Sequence, residues 1–285
     1  MARRAAVSGM FYEGGRGELV RSIEDCFLGS FGPGRLPETA AERKGQVLGL
    51  VSPHAGFVYS GSAAAWAYDA LASDGVPDIA VIIGPNHHGL GAAVAVDTEP
   101  EWDTPLGTVR VDTETAEMIA KLSGYARADS FAHTREHSIE VQLPFLQFIG
   151  GGAIRIVPIA IASLSDSDAG VLVTDLGGAI VKALAGKSAV LIASTDFTHY
   201  ESRASAQAKD DLALERIVAL DSAGLLRVVG ERSISMCGAV GTAVMLEACK
   251  ALGARSARRL AYYTSGDVIG DASQVVGYGA VSVEL

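Results

Sequence analysis

Cysteine is scarce in this chain. Cys26, Cys237 and Cys249 are an odd number, widely spaced, with no Cys-x-x-Cys pair, which argues against a disulfide framework and for a reducing compartment. No apolar run approaches the ~20 residues of a membrane-spanning helix. The segment behind Arg3 and Arg4, residues 5–11, is too short and too interrupted for a signal-peptide core. Basic residues are outnumbered, 23 Lys and Arg against 33 Asp and Glu for a formal net charge of −10, so a nucleic-acid backbone is not the expected partner. The charges are mixed rather than blocked, as on a solvated acidic surface. No repeat or low-complexity segment is evident. These absences predict a soluble cytoplasmic protein with neither a membrane nor a nucleic acid as partner.

What is present is apolar and patterned. With 285 residues, 49% hydrophobic and 20% charged, the chain can bury a sizeable core. Its organising stretch is residues 79–89, Ile-Ala-Val-Ile-Ile-Gly-Pro-Asn-His-His-Gly. Five apolar residues, four of them β-branched, read as a strand buried on both faces, and Gly84-Pro85 ends it. His87 and His88 then follow a strand's carboxyl end, the edge where open α/β sheets bind ligands. The pattern recurs where Val47-Leu48-Gly49-Leu50-Val51 runs into Ser52-Pro53-His54, and where residues 189–193 run into Ser194-Thr195-Asp196-Phe197-Thr198-His199.

Helical spacing predicts helices over 17–28, 62–71, 113–122, 136–148, 168–184, 204–220, 223–229 and 239–252. Strands are expected over 154–159, 260–263 and 275–283 besides those above, with a short apolar run at 92–96 and an edge strand at 108–111. Residues 30–45 and 102–107 read as loops. Glu136, His137 and Glu140 fall in the first turn of the 136–148 helix, where the helix dipole alone favours acidic groups. Such β-α-β alternation implies an α/β fold with a mostly parallel or mixed central sheet and helices on both faces. The stretches around His54/His87 and Asp196/His199 could be halves of a duplicated sheet.

Of the six histidines, His54, His87, His88 and His199 follow predicted strand ends. His54 and His87 with Cys237 would make a three-ligand set with an open position, suited to a catalytic metal. Spacing leaves His88 as an alternative to His87. Cys237 falls just before a predicted helix, whose N-terminus would lower the thiol pKa and hold a thiolate. Asp196 and His199 could orient a ligand or shuttle protons, and Tyr59 could donate a hydrogen bond. Against these stand simpler roles: Cys237 as a core thiol, Asp196 as a helix cap, Tyr59 as a packing aromatic. Metal-free thiol chemistry at Cys237 with a histidine base is a further alternative.

Five segments in register resemble the signature of a known family. They are Pro53-His54-Ala55-Gly56-Phe57-Val58-Tyr59-Ser60-Gly61, Gly84-Pro85-Asn86-His87-His88, Glu136-His137-Ser138-Ile139-Glu140, Ser194-Thr195-Asp196-Phe197-Thr198-His199 and Cys237-Gly238. They look like the Memo family, named for a mediator of ErbB-driven cell motility, whose prokaryotic members are labelled AmmeMemoRadiSam system protein B. Ser8-Gly9-Met10-Phe11-Tyr12 also resembles that family's start. The resemblance implies a single domain over 1–285, related to class III extradiol (LigB-like) dioxygenases that hold non-haem Fe(II) at a sheet edge. By that resemblance His54, His87 and Cys237 match metal-ligand positions, and Asp196 and His199 match the remaining cleft positions. It further implies iron or copper ahead of zinc, redox or oxygen-dependent chemistry on a small-molecule substrate, and radical-SAM and AMMECR-type proteins as partners. Extradiol enzymes use two histidines and a carboxylate. The third position here is Cys237, a softer and oxidisable ligand, which leads away from catechol cleavage. Eukaryotic members are described as phosphopeptide-binding adaptors, so a non-catalytic peptide- or protein-binding cleft is the alternative function. Ala239-Val240 stand here where the resemblance leads one to expect basic residues in animal members, which leads away from the adaptor role.

Overall fold

A computed structural model describes residues 2–163 and 166–285. The first half runs α1 (Arg16–Leu28), β1 (Val47–Ser52), α2 (Phe57–Asp74), β2 (Ile79–Pro85), β3 (Val94–Val96), β4 (Glu101–Thr104), β5 (Gly107–Arg110), α3 (Thr113–Leu122) and β6 (Ala126–Ala128). It continues with α4 (Leu143–Gly150), β7 (Arg155–Ile161), α5 (Asp166–Ala183), β8 (Ala189–Ser194), β9 (His199–Glu201), α6 (Arg203–Val218) and α7 (Ser222–Glu231). Last come α8 (Ala239–Ala251), β10 (Ser256–Thr264), α9 (Ser265–Ile269) and β11 (Val275–Glu284).

One mixed sheet carries the core, in the order β10-β11-β1-β8-β2-β7-β3-β6, with β9 added on β11. Strands β1, β8, β2 and β7 are parallel to one another, and β1 and β7 each pair antiparallel with the strand on their outer side. β2 lies in the middle with every residue buried, as its unbroken apolar run requires. Helices cover both faces. α1, α2 and α4 pack together in one layer, and α5, α7 and α8 in the other. Gly49 lets α8 approach β1, since a Cβ there would fall 2.6 Å from Met245 Sδ and 2.7 Å from Cys249 Sγ. This is the α/β arrangement expected, consistent with a LigB-like fold. The two stretches read as duplicated halves interleave, β1 beside β8 and β2 beside β7.

The departures from expectation have local causes. Residues 101–110 form a hairpin rather than a loop followed by a strand, because Trp102 is buried with its indole N–H on Asp97 Oδ2 at 2.7 Å. α2 begins at Phe57, five residues early, where the Phe57 N–H donates to the Phe11 carbonyl at 2.7 Å. No helix starts at Glu136. A 3-10 turn spans Glu140–Gln142 and α4 starts at Leu143. Pro144, in that first turn, fits only where its missing N–H is not needed. The helix dipole therefore does not account for Glu136 and Glu140. Among the described residues no helix is long and apolar enough to cross a membrane.

Candidate metal centre

Because β1, β8 and β2 are adjacent and parallel, their carboxyl ends open side by side, with Ser52 opposite Ser194 and Ile83 opposite Ala193. His54, Asp196 and His87 thus reach one edge from three strands. The His54 backbone N–H donates to Asp196 Oδ1 at 2.9 Å, and its ring Nδ1 lies 2.9 Å from Ser194 Oγ. That hydroxyl gives its only proton to the Ser138 carbonyl at 2.5 Å and accepts from Gln142 Nε2 at 2.8 Å. His54 Nδ1 must then carry the hydrogen, which leaves a lone pair on Nε2. Burial first, then the nearby His137 and His87, hold His54 well below the ordinary imidazole range, so the ring is neutral.

Glu136 arranges the next two rings from a fully buried position. Its Oε2 accepts the His87 backbone N–H at 2.6 Å, and its Oε1 accepts those of His137 and Ser138 at 2.8 and 2.9 Å. Oε1 also lies 2.9 Å from His87 Nδ1 and 3.3 Å from His137 Nδ1. Burial alone would raise this carboxyl. The hydrogen bond and charge of His87, the Ser138 N–H and His137 outweigh it and hold Glu136 far below the usual range. A carboxylate facing Nδ1 favours the Nδ1–H tautomer and leaves Nε2 for a metal. Gly84 admits this loop, since a Cβ there would fall 2.5 Å from Ser138 Oγ. His137, packed on Phe11 at 4.7 Å between centroids, is lowered to about 4 by burial and then by His87 and His88, against Glu136.

The three rings converge. Centroids lie 5.3 Å apart for His54 and His87, 5.5 Å for His54 and His137, and 4.6 Å for the stacked pair His87 and His137. One potential donor atom from each lies within 4.8 Å of the others. His88, Glu136 and His137 form a second such group on the exposed side. Cys237, 183 residues from His54 along the chain, places Sγ 3.3 Å from His54 Nε2 and accepts the Asp196 N–H at 3.3 Å. Gly238 makes that approach fit, because a Cβ there would fall 2.5 Å from Thr195 Cβ and 2.6 Å from the Ser194 carbonyl oxygen. The expected thiolate is not favoured in the metal-free protein. Cys237 sits ahead of α8, but burial and then the Asp196 charge push its thiol up to about 12.

The proposed acid-base residues sit around this group. Asp196 is buried, and burial above all pushes it up to about 6. His199 hangs from the β9–β11 pairing, with its backbone N–H on Ser235 Oγ at 2.7 Å and its Nδ1 at 2.9 Å from the Ser235 carbonyl, which leaves Nε2 free of that anchor. Tyr59 lies in the first turn of α2, 40% exposed, its carbonyl accepting from the Tyr263 hydroxyl at 2.8 Å. Among the described residues no hydrogen bond joins it to the histidines. A cavity of about 380 Å³ lies against His87 and Cys237, walled also by Asn86, Ile161, Met236 and Val240. A larger one, about 630 Å³, follows the N-terminal segment and α1 and holds none of the histidines.

His137 and Glu136 were in plain view in the Glu-His-Ser segment, yet helical periodicity hid their role. They are held from the chain's other end. Arg3 donates to the His133 and Glu136 carbonyls at 2.7 and 2.6 Å and pairs with Glu140 at 2.7 Å. Glu140 also accepts from the Ala6 and Val7 N–H groups and the Tyr12 hydroxyl.

A family model described as Memo-like protein matches residues 3–282. The chain belongs to the Memo family. A MEMO1 family protein of Methanopyrus kandleri is 47% identical over 283 residues, covering 99% of this chain and 98% of the relative. Relatives with the same description are 45% identical in Thermotoga maritima, with 98% of each chain covered, and 40% identical in Nitrosopumilus maritimus, with 99% of each covered. The five segments quoted from the sequence all lie within the matched residues, three of them at the ends of β1, β2 and β8 and the other two reaching the site from outside the sheet.

Proposed function

We propose that this chain binds a single iron or copper ion at His54, His87 and Cys237 and carries out redox or oxygen-dependent chemistry on a small molecule. The observation that supports this reading is the place of His54 between the other two, its Nε2 3.3 Å from Cys237 Sγ and its ring centroid 5.3 Å from that of His87, although the residue whose donor atom groups with both histidines within 4.8 Å is His137. Two imidazoles and a thiol suit iron or copper, and the sulfur favours the softer oxidation states. Such an ion would supply one-electron transfer or dioxygen activation. Around it the protein's own groups have separable tasks. Ser194 and Glu136 fix the tautomers of His54 and His87. Asp196, which burial raises to about 6 in the metal-free protein, and His199, with Nε2 free of its Ser235 anchor, are the groups placed to hold or pass a proton. Met236 and Val240 keep part of the adjoining cavity apolar.

The test is elemental analysis after anaerobic loading with Fe(II) or Cu(I). Near-stoichiometric retention that is lost in His54→Ala and Cys237→Ala supports the reading, and no retention of either metal overturns it. A cytoplasmic setting with radical-SAM and AMMECR-type partners belongs to the same proposal, and co-purification from a cell expressing all three proteins tests it.

A further inference from the structure

We infer that His137 is a direct metal ligand alongside His54 and His87, an assignment that deepens the proposed metal site and rests on it. The geometry of the free nitrogens makes the case. His54 Nδ1 is used on Ser194, and His87 Nδ1 is used on Glu136. His137 Nδ1 lies 3.3 Å from the same carboxylate oxygen, close enough for charge attraction though not hydrogen-bonded to it. Each ring is left with Nε2, and one donor atom from each ring lies within 4.8 Å of the others. His54 Nε2 faces the Cys237 thiol at 3.3 Å, while among the described residues no hydrogen bond reaches Nε2 of His87 or His137; lone pairs gathered in one region repel one another, and a cation would satisfy them together. Its position is also over-determined: the His137 N–H donates to Glu136 and its carbonyl accepts from the Val141 N–H at 3.0 Å.

The assignment has a consequence for metal choice. Should Cys237, 3.3 Å from His54 Nε2, bind as well, four donors would close a tetrahedral ion such as zinc. An ion that takes five or six ligands would keep positions open for a substrate.

The test loads metal-free protein with one equivalent of Zn(II), a redox-silent probe, and counts imidazoles by X-ray absorption fine structure. Three imidazoles support the assignment and two overturn it, in the wild-type protein and with no variant required. A chelator competition titration then compares wild type with His137→Gln. A loss of affinity beyond the ~10–100-fold that outer hydrogen-bonding partners cost supports direct ligation, and wild-type affinity overturns it. Wild-type protein that binds no Zn(II), Fe(II) or Cu(I) removes the metal reading and this assignment together. Metal bound through two imidazoles removes this assignment alone.

Discussion

Replacing Glu136 with glutamine keeps the side chain's shape but converts one acceptor into a donor at a site where every neighbour is a donor. The amide nitrogen has two places to go. At the Oε1 position it would oppose the N–H groups of His137 and Ser138 and the ring Nδ1 of His87. At the Oε2 position it opposes only the His87 backbone N–H, so that orientation is preferred. One charge-assisted hydrogen bond is then lost, and those remaining on Oε1 are to a neutral oxygen. With about 1.5–3 kcal/mol for a hydrogen bond to a charged group, and weakening of the others, Glu136→Gln should destabilise the metal-free protein by roughly 2–4 kcal/mol. The tautomers of His87 and His137 lose their carboxylate, so metal affinity should fall ~10–100-fold. Urea denaturation of the metal-free protein measures the first effect, and chelator competition on folded samples measures the second. A variant as stable as wild type, with unchanged metal affinity, would refute the role given to this carboxylate.

Other residues give independent tests. Arg3→Met should cost about 3 kcal/mol, the low end for breaking a buried ion pair, because Glu140 keeps the Ala6, Val7 and Tyr12 donors; in urea melts Glu140→Gln should cost less in the Arg3→Met background than in wild type, where it also removes the ion pair, and strict additivity would count against coupling. Gly238→Ala should displace Cys237 from His54, since the new methyl meets Thr195 and the Ser194 main chain; metal affinity should drop while the far-UV circular dichroism spectrum is retained, and unchanged affinity would show that the contact relaxes freely. Asp112 caps α3 and pairs with Arg155. Burial works to raise its pKa, but the Thr115 hydrogen bonds, Arg155 and Lys187 together hold it below the ordinary value. A depressed folded pKa means stabilisation present above the unfolded value of about 4 and lost as pH falls through the folded one. The stability gap between wild type and Asp112→Asn should therefore shrink below pH ~4, and a gap that stays constant to lower pH would contradict it.

The parallel centre of the sheet was legible because β1, β2 and β8 are buried on both faces and must be apolar throughout. The β-branched run at 79–83 can be little else, and Gly84-Pro85 marks its end. The three loops that follow were legible for the same reason: adjacency of parallel strands converts three separate sequence positions into one edge. What periodicity could not reveal lies off the sheet. Residues 136–139 have helix-compatible spacing, and Glu136 looks like an ordinary N-terminal acid. Its carboxylate takes the N–H groups of His137 and Ser138, while Pro144 accepts a helix only from Leu143 onward. The hairpin at 101–110 was hidden because its stability comes from Trp102 packing under the Arg3 guanidinium, 3.9 Å from the ring centroid, a contact between segments about a hundred residues apart.

That contact ties the two hidden features together. Arg3 rests on Trp102, reaches the carbonyls of His133 and Glu136, and pairs with Glu140. Phe11, farther along the same N-terminal segment, packs on the His137 ring and accepts the first N–H of α2. The sheet supplies His54, His87 and the approach to Cys237, while the N-terminal segment supplies the restraint on the loop that carries Glu136 and His137. A rigid site needs both, since His87 and His137 share one carboxylate, and any shift of Glu136 moves the two rings together. Loosening residues 3–11 should therefore disturb the two rings on Glu136 first and reach His54 only at one remove, through the Ser138 carbonyl and the Gln142 amide that orient the Ser194 hydroxyl.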